Sequence, residues 1–206
     1  MLKAKPRRSW QNVSGVGYMG ISLFSKSHDG EGLKAMVDWI NEQDFFSFRV
    51  GLSDTLNRFN TPVRAAFEAC VKAGDEWLER NGDTLDQIEA PHEVIRWSHW
   101  LDNHADEVNA NKHAFMFAFG SNEGFRTAIK GDMEAFTKRT QKEASLEYLI
   151  EELAVYSVMM RQQPATMIYP AKPLRCMDYV RHNPDSFPNG LGNTTHVQLA
   201  LHNRAA

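Results

Sequence analysis

Residues 12–24 read Asn-Val-Ser-Gly-Val-Gly-Tyr-Met-Gly-Ile-Ser-Leu-Phe, and this stretch decides the fold class. Its glycine, valine, methionine and isoleucine content is typical of a buried strand, which we expect to end in a loop over residues 25–30. A helix should follow, because apolar side chains recur there at the helical period: Leu33, Met36, Val37 and Ile40. A second buried strand is predicted over residues 45–50. This order of elements indicates an α/β protein with a parallel sheet.

The rest of the chain continues the alternation of helices and strands. Thr61-Pro62 is typical of a helix start and Asn81-Gly82 of a helix end. Further strands are predicted over residues 92–97, 165–169 and 194–201, and further helices over residues 104–119, 123–140, 144–161 and 173–181. The prediction is therefore one Rossmann-like domain over residues 12–206, preceded by a flexible basic arm over residues 1–11. Helices should cover both faces of the sheet.

Ligands of such sheets bind at the carboxyl ends of the strands, so residues 20–25 and 169–172 form the candidate site. Ser22 should lie where the first strand gives way to a loop, although a serine at such a position is more often a turn residue than a nucleophile. Tyr148 and Glu152 are four residues apart and share one face of a helix that is apolar nearly all round. A buried Glu152 needs a partner, either the ammonium group of a ligand or, as the commoner case, an arginine of the protein. Tyr169-Pro170 should end a strand at the same edge.

Composition excludes several function classes. The chain has 206 residues and a net charge of −3, so a nucleic-acid partner would have to meet a local basic patch. Two distant cysteines argue for a reducing compartment, and no apolar run is long enough for a signal peptide or a membrane span. A cytoplasmic protein that binds neither DNA nor membrane is expected. No metal is expected either, because the eight histidines have no ligand spacing, and His99, Asp102, His104 and Asp106 fall in a stretch interpreted as a solvated loop.

Gly15, Gly17 and Gly20 satisfy the GxGxxG pattern of dinucleotide-binding proteins. That motif requires a helix to begin at its third glycine, where the pyrophosphate meets the helix N-terminus. Here the extended pattern continues through Ser22, and the helical period begins only near Glu31. The glycines are better explained as small residues within a buried strand. An NAD-dependent oxidoreductase is thus a weak alternative.

Three motifs in this order resemble the tRNA-dependent cyclodipeptide synthases: Gly20-Ile-Ser22, Tyr148-Leu-Ile-Glu-Glu152 and Tyr169-Pro170. Further similarity lies in the segments 74–81 and 121–126, and the resemblance covers residues 17–170. The Tyr-Pro pair, together with Ser25 three residues after Ser22, is similar to one branch of that family. Each motif is weak alone, but their order and spacing are specific in combination.

The resemblance implies a Rossmann-like fold similar to the catalytic domain of class I tyrosyl- and tryptophanyl-tRNA synthetases. It implies a monomer that takes two aminoacyl-tRNAs as substrates and needs neither ATP nor a metal. Ser22 would accept the first aminoacyl group in a ping-pong reaction, and Tyr148 and Glu152 would hold the α-ammonium. Glu152 would also transfer a proton in the second step, and Tyr169 would act in the cyclisation that gives a diketopiperazine.

The same resemblance suggests which residues contact the substrates. The expected binding residues of the aminoacyl pocket are Tyr18, Gly20, Ser25, Val155, Met167 and Pro170. The candidate contacts to tRNA phosphates are Arg64, Lys72, Arg80, Lys138 and Arg139, although a solvated helix face is the commoner role for such residues. The sequence departs from the family at Val16, Tyr18 and Ala154. A protein that binds aminoacyl-tRNA or a nucleotide without catalysis remains the alternative from a different functional class.

Overall fold

The computed structural model describes residues 2–7, 14–23, 25–59, 67–135 and 142–203. Within these residues, six strands form one sheet in the order β1-β6-β5-β2-β3-β4. The strands are β1 (Leu2–Pro6), β2 (Ser14–Ile21), β3 (Asp44–Leu52), β4 (His92–Arg96), β5 (Thr166–Tyr169) and β6 (Thr195–Asn203). The five strands β2 to β6 run parallel, and β1 pairs with β6 in the antiparallel sense. The predicted α/β class with a parallel sheet is confirmed.

Helices cover both faces of this sheet. They are α1 (Gly30–Asn41), α2 (Phe67–Leu85), α3 (Trp97–Asn103), α4 (Ala105–Ser121), α5 (Glu123–Ala135), α6 (Lys142–Gln162) and α7 (Arg175–His182). Two apolar clusters separate the layers. One contains α1 residues, Trp77 and the strand residues Met19, Val50 and Ile168, and the other contains α6 residues together with Tyr18 and Met167. Successive side chains of a strand point to opposite faces, which explains why neighbouring residues of β2 and β5 belong to different clusters.

Three expectations from the sequence were wrong at the level of local structure. Helix α2 does not end at Asn81-Gly82 but continues to Leu85. Residues 2–6 are not a flexible arm but the edge strand β1, because apolar residues alternate with lysines and Ala4 is buried to 1% exposure. The stretch with His99 and Asp102 is not a loop but the helix α3, whose Trp97 and Ser98 are buried. In contrast, the interpretation of the glycine motif is confirmed. Gly15, Gly17 and Gly20 all lie within β2, and α1 begins only at Gly30.

Some of the sequence-based expectations lie outside the described residues: the helix start at Thr61-Pro62 and the candidate tRNA contacts Arg64, Lys138 and Arg139. Among the described residues, no three or more His, Cys, Asp or Glu side chains form a cluster suited to a metal ion. No described helix combines the length and the apolar character that crossing a bilayer requires.

Candidate active site

Ser22 lies directly after β2, at the carboxyl edge of the sheet. The strand ladder ends at Ile21, whose carbonyl oxygen accepts a hydrogen bond from the Ser53 backbone N–H at 3.0 Å. The chain then turns, and the Ser25 backbone N–H donates to the Ser22 carbonyl oxygen at 3.0 Å. Ser22 is half-buried in this turn. The predicted position of Ser22 at the end of the first long strand is therefore confirmed.

His28 fixes the backbone of Ser22, a role that the sequence did not suggest. The Ser22 backbone N–H donates to Nδ1 of His28 at 2.9 Å. The ring is fully buried and lies edge-on against the Tyr169 ring, with 5.2 Å between the ring centroids. Burial lowers the pKa of His28 to about 4. The ring is thus neutral at pH 7 and carries its proton on Nε2, because Nδ1 accepts the bond from Ser22.

Tyr169 ends β5 beside Gly20, as the sequence predicted. The register pairs Met19 with Ile168, so that Gly20 and Tyr169 follow at the same level of the sheet. A Cβ atom on Gly20 would lie 3.9 Å from Cδ2 of Tyr169 and 2.8 Å from the hydroxyl oxygen of Tyr156. Only glycine leaves room for Tyr156 at this distance. Gly20 therefore leaves the space that the hydroxyl of the α6 residue Tyr156 occupies beside the sheet.

The face of α6 with Tyr148 and Glu152 supplies the polar groups of the site. Both side chains are half-buried, and they lie one turn apart. Burial raises the pKa of Tyr156 well above its usual range, and the charge of Glu152 raises it further. Burial also raises the pKa of Tyr18, and Glu152 contributes in the same direction. Glu152 is thus close enough to act electrostatically on the two tyrosines that surround Gly20.

The neighbouring acid Glu151 has a different environment. Its carboxylate is 1% exposed and accepts hydrogen bonds from Arg58 Nη1 at 2.8 Å, Lys112 Nζ at 3.1 Å and Trp97 Nε1 at 3.2 Å. Arg58 Nη2 makes a further close contact with Oε2. The sequence suggested an internal ion pair between an arginine and Glu152. In the structure, Glu151 forms such an ion pair. This network connects α3, α4 and α6 to the turn that follows β3.

The residues predicted to line the aminoacyl pocket lie around Gly20. Tyr18, Val155 and Met167 belong to one buried cluster between α6 and the sheet, and Tyr18 pairs with Met167 in the register. The Tyr18 ring lies edge-on against Tyr156, with 5.7 Å between the centroids. Ser25 lies in the turn after Ser22 and is half-buried, as is Pro170 after Tyr169. The structure therefore gathers these residues on the α6 side of the sheet and at its carboxyl edge.

The structure describes two of the candidate tRNA contacts. Around both of them, acidic side chains balance the basic ones. Lys72 and Arg80 are exposed on α2, and Lys72 Nζ lies 3.9 Å from a carboxylate oxygen of Glu76. The Arg80 guanidinium donates to the backbone carbonyl oxygen of Glu76 at 3.0 Å. The same helix carries the acids Glu68, Asp75, Glu79 and Asp83. Each of these two cations therefore has a partner on its own helix, and their contact with tRNA stays a prediction.

The fold is that of the cyclodipeptide synthases, and the resemblance inferred from the motifs is confirmed at this level. A cyclodipeptide synthase from Fluoribacter dumoffii matches over 100% of both chains, with a TM-score of 0.83 and 22% identity. A synthase from Candidatus Glomeribacter gigasporarum, solved with bound Phe-tRNAPhe, matches over 95% of this chain and 90% of its own, with a TM-score of 0.66 and 17% identity. The tyrosyl-tRNA synthetase of Archaeoglobus fulgidus matches over 91% of this chain and 54% of its own, with a TM-score of 0.56 and 14% identity. No protein-family model and no curated protein matches the chain.

Proposed function

We propose that this chain, which has the fold of the cyclodipeptide synthases, makes a cyclic dipeptide from two aminoacyl-tRNAs. One observation carries the proposal: Ser22, Tyr169 and the α6 residue Tyr156, one turn from Glu152, all lie close to Gly20 at the carboxyl edge of the sheet. Ligands of open α/β sheets bind at this edge. In the alternative of a purely binding protein, Ser22 would be only a turn residue, and its replacement by alanine would leave the activity unchanged.

In the proposed first step, Ser22 Oγ attacks the ester carbonyl of the first aminoacyl-tRNA. The bond between this carbonyl and the ribose oxygen breaks, and the tRNA leaves with a proton on that oxygen. The aminoacyl group is now an ester of Ser22, which is the usual outcome of nucleophilic catalysis. Because the substrate is already an activated ester, the step needs neither ATP nor a metal. His28 holds the backbone of Ser22 in place through the bond to its N–H, which limits the positions open to the hydroxyl.

In the proposed second step, the amine of the aminoacyl-enzyme attacks the second aminoacyl-tRNA. An amide bond forms, the second ribose oxygen leaves, and the dipeptide remains on Ser22. Glu152 takes the proton that the attacking ammonium must lose, and Tyr148 on the preceding turn helps to hold that group. Glu152 suits this role because it is half-buried and its charge acts on Tyr18 and Tyr156, the two tyrosines beside Gly20.

In the last step, the free amine of the dipeptide attacks the ester on Ser22. The ring closes, Ser22 Oγ regains a proton, and the diketopiperazine leaves. The Tyr169 hydroxyl is suited to carry this proton, since β5 ends beside Gly20, two residues before the nucleophile. Positioning of the reacting groups supplies most of the acceleration, because no Ser-His-Asp triad is needed for so reactive an ester.

The experiment is mass spectrometry of culture medium from cells that express the chain, with Ser22→Ala as the test variant. Ser27→Ala, a change of the same size in the same loop, is the matched control. New diketopiperazine masses that the Ser22→Ala variant loses and the Ser27→Ala variant keeps are expected. Intact-protein mass after incubation with charged tRNA should show one aminoacyl adduct on the wild type and none on Ser22→Ala. If the wild type yields neither product nor adduct, the proposal is wrong.

A further inference from the structure

Two paired glycines form the floor of the proposed active site on the side of α6. Gly20 of β2 and Gly51 of β3 lie directly opposite each other in the parallel register. Gly20 faces α6, because Tyr18, two residues earlier, belongs to the apolar cluster on that side. Gly51 faces α6 as well, because its neighbours Val50 and Leu52 belong to the cluster on the opposite side. Two adjacent positions without side chains leave a depression in the sheet, which another group can approach closely.

The ring of Tyr18 occupies this depression. A Cβ atom on Gly51 would overlap the Tyr18 hydroxyl oxygen and would lie 2.8 Å from Cε2 of the same ring. A Cβ atom on Gly20 would lie 3.7 Å from Cε1, on the other side of the ring. The ring therefore lies across both glycines. Because Tyr18 is fully buried, its ring fills the depression instead of bordering an open space.

Tyr156 closes the same depression from α6. Its hydroxyl oxygen lies 2.8 Å from the position of a Cβ atom on Gly20. Its ring packs edge-on against Tyr18, with 5.7 Å between the centroids, and against Trp97, with 5.4 Å. All three aromatic side chains are buried. Since protein interiors are densely packed, a ring in such a position moves only if its neighbours move too. The two tyrosines are therefore fixed walls.

In the proposed reaction, the side chain of the first amino acid must meet these walls. The carbonyl carbon of that amino acid is bonded to Ser22 Oγ, and its ammonium group is held by Glu152. Gly20 lies two residues before Ser22, and Tyr156 lies one turn after Glu152. The α-carbon between the two held groups thus lies next to Gly20, where the rings of Tyr18 and Tyr156 already fill the space.

We propose that Tyr18, held in place by Tyr156, restricts the amino acid on Ser22 to a side chain no larger than that of serine. This inference rests on the proposed function and names its substrate class: glycyl-, alanyl- or seryl-tRNA as the first aminoacyl donor. A larger side chain would have to displace a buried ring, and overpacking of this kind is unfavourable. In a pocket with fixed walls, one methylene group changes the selectivity by about 10- to 200-fold.

The test identifies the amino acid that wild-type Ser22 carries. The protein is incubated briefly with unfractionated tRNA charged with all the standard amino acids, and the intact-protein mass identifies the adduct. Adducts of glycine, alanine and serine should together exceed those of leucine, methionine and phenylalanine by about 10-fold or more. A wild type that carries mainly one of the larger amino acids overturns the inference. This measurement needs no variant, so it decides the matter even if a variant does not fold.

The variant Tyr18→Leu should admit larger amino acids, because it removes the ring that lies across the two glycines. The share of adducts with leucine, methionine or phenylalanine should rise by about 10-fold or more. Phe125→Leu is the matched control. Phe125 is also fully buried on the α6 side of the sheet, but its ring packs against aromatic side chains of α4 and α7. This control should lose stability in the same way and keep the wild-type adducts.

Thermal unfolding shows whether both variants are folded under the conditions of the assay. A folded Tyr18→Leu variant with the same adducts as the wild type overturns the inference. An equal shift towards larger amino acids in Phe125→Leu also overturns it, because the shift would then reflect a loosened interior and not the ring beside Gly20.

The inference and the proposed function fail in distinguishable ways. If the wild type carries a large amino acid that the Ser22→Ala variant lacks, the proposed function is supported and the size limit is refuted. If no charged tRNA gives an adduct on the wild type, the proposed function is refuted and the inference falls with it.

Discussion

The adjacent acids Glu151 and Glu152 should respond in opposite ways to the same substitution. Glu151→Gln keeps the shape of the side chain but removes a charge that Arg58 and Lys112 surround at hydrogen-bond distance. The carboxylate is 1% exposed, whereas the Arg58 side chain is 16% and the Lys112 side chain 33% exposed. The variant therefore leaves two cations near a neutral amide in a region with little water.

Removal of one partner from a buried ion pair costs about 3 to 5 kcal/mol of unfolding free energy. For a domain of this size, 1 kcal/mol corresponds to about 2 to 4 °C, so Glu151→Gln should lower the melting temperature by about 6 to 20 °C. Glu152→Gln should have a smaller effect on stability, because Glu152 is half-buried. It should instead lower the rate of cyclic dipeptide formation by about 100-fold or more, as expected for the loss of a general base.

Thermal unfolding and product formation per folded molecule, measured on both variants, test this prediction. Glu151→Gln should retain most of its activity per folded molecule below its melting temperature. The reasoning would be refuted by a Glu151→Gln variant that melts within about 2 °C of the wild type. A Glu152→Gln variant that forms product at the wild-type rate would refute the role of Glu152.

Three other expectations follow from the structure. Gly20→Ala brings a methyl group to 2.8 Å from the Tyr156 hydroxyl oxygen, so it should cost about 1 to 3 kcal/mol of unfolding free energy. The second substitution Tyr156→Phe should restore stability. If chemical denaturation of the double variant shows no recovery, the contact between residue 20 and the Tyr156 hydroxyl is contradicted. The pKa of His28 is lowered to about 4 and that of His196 also to about 4, mainly by burial in each case. Between about pH 6.5 and pH 4 the unfolded chain therefore binds more protons than the folded chain. The free energy of unfolding should fall as the pH is lowered through this window, and His28 should account for about 3 kcal/mol of the fall. Urea titrations at about pH 7 and pH 4.5 measure this change, and His28→Gln should reduce it. Asp54→Asn should cost about 3 to 5 kcal/mol, because the buried carboxylate accepts from Arg96 Nε at 2.8 Å and from the Ser98 hydroxyl at 2.9 Å. A denaturation midpoint equal to that of the wild type would refute that role.

The elements with a clear internal period were predictable from the sequence. The apolar spacing of α1 and the β-favouring composition of β4 are local properties, and the structure places both elements within a few residues of the prediction. The strand β1 was missed because an edge strand depends on its partner. Leu2–Pro6 alternates apolar and basic residues, but only the pairing with β6 makes this alternation a strand rather than an exposed arm.

The sequence also indicated the chemistry of the site, since the order of Ser22, Tyr148, Glu152 and Tyr169 resembles one family. It did not indicate His28, because a histidine six residues after Ser22 has no pattern that distinguishes it from the other seven. Its role depends on the turn that brings its ring to the Ser22 backbone.

The sequence by itself determined the α/β class, the strand that ends just before Ser22 and the candidate reactive side chains, because periodicity and motif order are properties of short segments. Only the tertiary structure decided which of two consecutive acids is held by Arg58 and which acts on the charge of Tyr18 and Tyr156. Consecutive residues of a helix point about 100° apart, and Arg58 lies 93 positions from Glu151 in the chain.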